Sequence, residues 1–388
     1  MKITIISPGS LPVPPVKGGA VETLIYELIK ENSKEGNFEI DLFGCYDEYI
    51  CETEMKKCKL HLFKTPRILD EIYKILNIKN HRLIKIKNLI NEKLYIDYIN
   101  NNIQSSDYLL IENKPHFIKS IKTNKECKKI LHLHNSHIYS FDENTFNMYD
   151  KILCVSNYLK EELMKEHKIK GNKIDIWYNC VSDYFINKNN YNLEIIKNNL
   201  NINQDDYIIV FVGRIVPEKG VDKIIDALKI SKNNNLKLLI IGSSWFNCED
   251  KTDYFELLEK KSEEIKDKII FTGYIDHELI PKYMSLANMI ILPSVWNEPF
   301  GLTIVEAMSL GKIVISTKKG GIPEISKGKD IILLNDEELI SNISKNIEYY
   351  YNNPIEGKVV GENAQKTILK FFTAKHYYRR FKEILDEL

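Results

Sequence analysis

Short apolar runs alternate with helix-patterned segments along almost the whole chain, and this alternation restricts the fold more than any other feature. Runs at Lys2–Ser7, Glu39–Gly44, Tyr108–Ile111, Lys129–Leu133, Lys151–Val155 and Lys173–Trp177 read as buried strands. A second series follows at Tyr207–Val212, Lys237–Ile241, Lys268–Phe271, Met289–Leu292, Ile313–Ser316 and Asp330–Leu334. Helical patterns such as Glu22–Glu31, Asn157–Glu166 and Val221–Lys229 lie between them. Alternation of this kind predicts α/β architecture, with parallel sheets covered by helices on both faces. Two series predict two doubly wound domains facing a central cleft. Ligand is expected there, outside the carboxyl ends of the strands. The predicted limits are 1–185 for the first domain, 186–206 for an Asn-rich linker and 207–360 for the second. The helical segment 361–388, with an aromatic face, is expected to pack back on the first domain.

Bulk properties exclude several classes. Lys plus Arg and Asp plus Glu are 54 each, so net charge gives no reason to expect nucleic acid as a partner. No apolar run approaches the ~18 residues of a membrane-crossing helix. The opening MKITIISPGS is broken by Pro8 and Gly9 too soon for a signal peptide and reads as a first strand. The seven cysteines include no CxxC pair, which fits reduced thiols in the cytoplasm. The Lys- and Ile-rich stretch 67–102 has two readings. One is a pair of helices with solvated lysines. The other is a basic surface for peripheral contact with the inner face of a membrane.

The most informative local motif is SVWNEPFGLTIVEAMSLG, in which Glu298 and Glu306 stand eight positions apart. A strand ending at Leu292 precedes it, and Gly301–Leu310 reads as a helix with Pro299 at its entry. The amides of Phe300, Gly301 and Leu302 then lie at a helix N-terminus, where backbone N–H groups and the helix dipole favour phosphate. Phosphate-binding amides beside two carboxylates suit a ligand that is both phosphorylated and rich in hydroxyls, such as a nucleotide sugar.

Other motifs add to this one. In FVGRIVPEKG, Arg214 lies at a strand end and Lys219 in the following turn, where two cations can hold a diphosphate. A surface turn with incidental charges is the plainer reading. Gly18 and Gly19 precede the first helix, where backbone can approach a ligand closely; the loop fits neither GxGxxG nor a Walker loop. LHLHNSH carries His132, His134 and His137, with no acidic or cysteine ligand nearby in sequence. A hydrogen bond from His134 to a sugar is favoured there over a metal, and a structural role suits His132. Gly242, and Gly273 with Tyr274, end two strands of the second series, where they suit a nucleobase and ribose or simply tight turns. TKKGGIPEI supplies a glycine pair that can support the Glu298 loop. No Asp-x-Asp pair occurs, so no metal is expected on the diphosphate and no cofactor is implied.

Together these motifs resemble the family-4 retaining glycosyltransferases of the GT-B fold, over nearly the whole chain and in the right order. EPFGLTIVE carries most of the likeness, followed by GRIVPEKG and KGGAVE. The opening VPPVKGGA and IGSSWF are similar to spore-coat and cell-surface polysaccharide transferases of this group. The resemblance implies transfer of a hexose or N-acetylhexosamine from a UDP- or GDP-sugar to a glycan or lipid-linked acceptor, with retention and without metal. It implies that Glu306 binds the ribose, that Glu298 contacts the transferred sugar, and that Arg214 and Lys219 hold the diphosphate. Gly19 would approach the diphosphate, His134 would sit beside the sugar, and Glu22 would face the acceptor. One departure is Asn179-Cys180-Val181-Ser182, where the family often has Asn-Gly-Val-Asp. Two rival readings stay open: a sugar-nucleotide epimerase of the same fold, and a non-catalytic nucleotide-sugar-binding protein.

Overall fold

The computed structural model of the protein describes residues 1–388 apart from 51–54, 67, 70–80, 136–142, 188–190, 232 and 244–251. His137, Ser244–Phe246 of the IGSSWF motif, and much of the first half of 67–102 therefore lie outside the described residues. The chain forms two compact units. One comprises Met1–Val155, Leu159–Trp177 and Tyr378–Leu388; the other comprises Ser156–Tyr158 and Tyr178–Tyr377.

The first unit runs through β1 (Lys2–Ile6), α1 (Ala20–Glu35), β2 (Glu39–Cys45), β3 (Cys58–Phe63), α2 (His81–Asn102), β4 (Tyr108–Glu112), β5 (Lys128–Leu133), β6 (Lys151–Cys154), α3 (Asn157–His167) and β7 (Ile174–Ile176). Its strands pair in parallel in the order β3-β2-β1-β4-β5-β6-β7. The order reverses between β1 and β4, which places a crevice beyond Ile6 and Glu112. Ile3, Ile5, Leu110, Ile130 and Leu131 are fully buried, so both faces of these central strands are covered. Strand β3 is not evident in the sequence. It is an edge strand, and Lys59 and His61 interrupt its apolar run. His61 turns inward to Asp41, with its Nε2 at 3.0 Å from Oδ1.

The second unit follows as α4 (Leu193–Asn199), β8 (Tyr207–Val212), α5 (Val221–Ile230), β9 (Leu236–Ile241), α6 (Asp253–Ser262), β10 (Ile269–Gly273), β11 (Met289–Leu292), α7 (Leu302–Ser309), β12 (Ile313–Thr317), β13 (Ile332–Leu334), α8 (Leu339–Asn352) and α9 (Pro354–Phe371). Its parallel sheet has the order β10-β9-β8-β11-β12-β13, reversing between β8 and β11. Val221, Ile224, Ile225 and Leu228 bury one face of α5 completely, the 3.6-residue pattern that the sequence displays. Helix α4 lies in the segment read as linker, and the Asn192 side chain caps it by accepting from the Ile195 amide at 3.3 Å.

The C-terminal helical stretch breaks at Phe372–Thr373, after which α10 (Ala374–Asp386) begins. At the break, the Val181 amide donates to the Phe372 carbonyl at 2.8 Å. Tyr378 and Phe381 pack on Phe38, with ring centroids 5.5 and 6.0 Å apart, and Phe381 stacks on Trp177 at 4.6 Å. Tyr378–Leu388 thereby completes the core of the first unit. Among the described residues no helix is long and apolar enough to cross a membrane. Leu83, Ile86 and Leu89 of α2 are exposed.

Candidate active site

In the second unit, the loops after β8 and β11 lie on either side of the sheet's switch point. Lys219 closes the short turn Pro217–Lys219 after β8. Its ammonium pairs with Glu298 Oε1, and Ser294 Oγ donates to the same oxygen at 2.5 Å. The ammonium also stands 5.9 Å from the centre of the Trp296 ring. Ser294 is itself pinned, because Thr317 Oγ1 donates to its carbonyl at 2.5 Å. Gly213, Lys219, Ser294, Glu298, Gly301 and Leu302 line one hollow.

Helix α7 begins at Leu302 with Gly301 as its cap, one residue later than the sequence suggested. The cause is the backbone of Gly301, at φ 108°, which is outside helical values. The amides of Leu302 and Thr303 precede the first bonds to the cap, which Ile304 and Val305 make to the Gly301 carbonyl at 3.0 and 3.4 Å. Leu302, Thr303 and Ile304 all contribute to the hollow's lining. Phe300 is buried, packed 5.9 Å from Tyr178 and from Phe372.

The glycine pair at 320–321 supports this loop. The Gly321 amide donates to the Glu298 carbonyl at 2.7 Å. Gly320 has φ +55°, and a Cβ there would stand 2.1 Å from that carbonyl oxygen. Only glycine lets the two loops meet so closely.

Arg214 and Glu306 are not among the hollow's lining residues. Arg214 follows Gly213 directly and is exposed, with no ion pair among the described residues. Glu306 lies inside α7, buried, where its Oε1 is 2.8 Å from His277 Nε2. Gly242 is brought to the same rim: its amide donates to the Gly273 carbonyl at 3.0 Å, and the Gly213 amide donates to the Ile241 carbonyl at 3.0 Å. Three neighbouring strand ends thus carry glycine. At Gly242 a Cβ would collide with the Gly213 carbonyl at 2.0 Å, so local packing alone demands glycine there. Tyr274 follows on the next residue, half-buried, its phenol pushed up by desolvation.

The first unit gathers a separate set. Gly18 and Gly19 immediately precede α1. Glu22, in its first turn, is 3% exposed, and desolvation with a smaller contribution from Glu112 pushes its carboxyl up to about 7. A Cβ on Gly19 would meet Glu22 Oε2 at 2.3 Å. Glu112 ends β4, and His132 and His134 flank Leu133, the last residue of β5; the carboxylate is the acidic neighbour that sequence spacing does not reveal. Glu112 Oε2 accepts from His134 Nε2 at 2.7 Å. His132 Nδ1 is 3.0 Å from the same oxygen but poorly aligned for a hydrogen bond. Burial opposes the charge of Glu112, yet the two imidazoles prevail and hold it down to about 2. Desolvation first, then His134, lowers His132 to about 4. These separations are those of direct contacts, shorter than the ~3.3 Å between ligands of a tetrahedral zinc.

Sequence reasoning missed Ser294, His277, Tyr184 and Glu112. Ser294 had a signal, standing at a strand end four residues before Glu298. The other three are joined to their partners only by folding.

Residues 192–367 match the family described as "Glycosyl transferases group 1". A putative glycosyltransferase, YtcC, of Bacillus subtilis is 24% identical over 100% of this chain and 92% of its own length. The lipopolysaccharide 1,2-N-acetylglucosaminetransferase of Salmonella typhimurium is 26% identical over 80% of this chain and 79% of its own. HepE of Anabaena, solved with UDP, superposes with a TM-score of 0.74 at 16% identity, covering all of both chains. The two parallel sheets and the superposition on HepE show the GT-B fold, and the second unit is similar to the glycosyl transferases of group 1 over residues 192–367.

Proposed function

We propose that the chain moves a hexose or N-acetylhexosamine from a UDP- or GDP-sugar to an acceptor hydroxyl, with retention at the anomeric carbon and without a metal. The observation that carries this reading is Glu298, fixed by Lys219 and Ser294 at the switch point beside the N-terminus of α7. Relatives include a lipopolysaccharide N-acetylglucosaminetransferase and a capsular polysaccharide glycosyltransferase, which supports a cell-surface glycan as the product. HepE has been solved with UDP-glucose, which favours UDP in the first trials.

Departure of the diphosphate leaves an oxocarbenium-like sugar and builds negative charge on phosphate oxygens. The exposed guanidinium of Arg214 and the amides opening α7 supply preorganised positive potential for that charge. Lys219 shares its ammonium with Glu298, so it aligns the carboxylate while helping to bind phosphate. Glu298 then accepts from hydroxyls of the transferred sugar, and Glu306 from the ribose. The leaving phosphate accepts the proton of the incoming hydroxyl, so no separate base is needed. For the first unit we assign donor contact to Gly18, Gly19 and His134, and acceptor contact to Glu22.

Thermal-shift measurement against UDP- and GDP-linked glucose, galactose, mannose and N-acetylglucosamine tests the donor reading. A true donor raises the midpoint as its concentration passes Kd. No shift from any of them at millimolar concentration would remove it. Anomeric NMR of the product decides retention. The exposed apolar residues of α2, with Lys85 and Lys87 beside them, support peripheral membrane contact. Absence of co-sedimentation with anionic vesicles at low salt would discard that part.

A further inference from the structure

Glu306 is the second carboxylate of the Glu-x7-Glu element, and it is already engaged. It is 6% exposed, and its Oε1 lies 2.8 Å from His277 Nε2. A carboxylate accepts and does not donate, so Nε2 carries the proton. In the neutral ring Nδ1 is then a bare acceptor. Tyr184 Oη stands 2.6 Å from it and donates. Three distant stretches meet here: the short turn Asp183–Ile186, the turn His277–Leu279 after β10, and α7. The rings of Tyr184 and Phe185 lie 5.7 and 5.6 Å from the imidazole, the tyrosine edge-on at 89°, and restrict its rotation.

We propose that His277, backed by Tyr184, is a positioning residue for ribose recognition. It occupies Oε1 of Glu306, sets the carboxylate rotamer before ligand arrives, and leaves Oε2 for the nucleotide's hydroxyls. A group held in its binding geometry loses less freedom on association, so its hydrogen bonds contribute more to affinity. This rests on the assignment of Glu306 to the ribose. The plainer alternative is that His277 only fastens the loop after β10 to α7. In that case its removal would weaken every nucleotide alike.

The test measures discrimination rather than affinity. UDP and GDP, each beside its 2′,3′-dideoxy counterpart, are titrated by calorimetry into the wild-type protein and into H277A, H277Q, Y184F and E306Q. Hydrogen bonds to a charged group predict that wild-type protein prefers the ribose form by about 10- to 100-fold. H277A should cut that ratio at least about fivefold. H277Q, whose amide keeps a donor near the Nε2 position, should hold the ratio within about twofold. Y184F should fall between them. If H277A weakens both forms equally, with the ratio unchanged, the inference fails and the Glu306 assignment stands. If wild-type protein does not distinguish the two forms, the Glu306 assignment fails and takes the inference with it. If neither nucleotide binds, the donor reading itself is overturned.

Discussion

Gly320→Ala tests whether the position of Glu298, and not merely its presence, sets the rate. The new Cβ would stand 2.1 Å from the Glu298 carbonyl oxygen, 2.7 Å from the Glu298 amide nitrogen and 2.9 Å from the Asn297 carbonyl carbon. Ordinary contacts lie near ~3.5 Å, so the Glu298 loop must retreat by roughly 1 Å. All three obstacles are backbone, and no side chain can swing away. The carboxylate held by Lys219 and Ser294 moves with its own main chain. A displacement of about 1 Å in a reacting arrangement costs about 10²-fold in turnover. Separately, an L-residue in the left-handed region costs about 1–2 kcal/mol. For a unit of this size that lowers the thermal midpoint by about 2–8 °C. Two controls separate these effects. Gly273 has φ +71° with nothing within 4 Å of an added Cβ, so G273A carries the strain without the collision. Gly328 has open space and no positive φ, so G328A carries neither. Donor-dependent turnover and thermal melting are measured on all three, with G273A judged on melting alone. G320A that melts like G273A and turns over within about twofold of wild type would refute the placement reasoning.

Arg214→Ala and Lys219→Ala should each reduce turnover by about 10²–10³ in folded protein, the loss expected for one transition-state donor. Lys219→Ala should also destabilise, by about 1–3 kcal/mol after allowance for partial exposure, because Glu298 loses its cation; steady-state kinetics and urea melts check the pair. Activity should persist in excess chelator, and strict dependence on added Mg²⁺ or Mn²⁺ would count against the proposed chemistry. Glu22 gives a pH signature. Its carboxyl rises from 4.5 to about 7 on folding, so the folded chain binds that proton more tightly than the unfolded chain. The stability this confers is full below about pH 4.5 and is lost as the pH climbs toward about 7. E22Q should flatten that decline in melts between pH 5 and 8, and an unchanged slope would exclude Glu22 as its source. Glu112 acts with the opposite sign. Held down to about 2, it stabilises at neutral pH, and that contribution is lost only as the pH falls toward 2; E112Q should shrink the loss in acid melts.

The residue pattern along the chain specified the two sheets, because central parallel strands are buried on both faces and must read as unbroken apolar runs. Tyr207–Val212 and Met289–Leu292 are found at the residues their runs mark. It also determined the Glu298 loop, since a strand end, turn formers and a helix start are local signals. Strand β3 escaped because an edge strand buries too little to need an unbroken run. Which charges meet depends on the assembled fold. Lys219 and Glu298 are 79 residues apart, Tyr184 and His277 are 93 apart, and Glu112 and His134 are 22 apart. Periodicity reports which face of an element is buried, but it is silent on what that element faces. The partner depends on strand order, which is set by the packing of the whole sheet. For this reason Glu298 and Glu306 were visible as a motif, while His277 and Tyr184 behind Glu306, and Glu112 behind His134, were not.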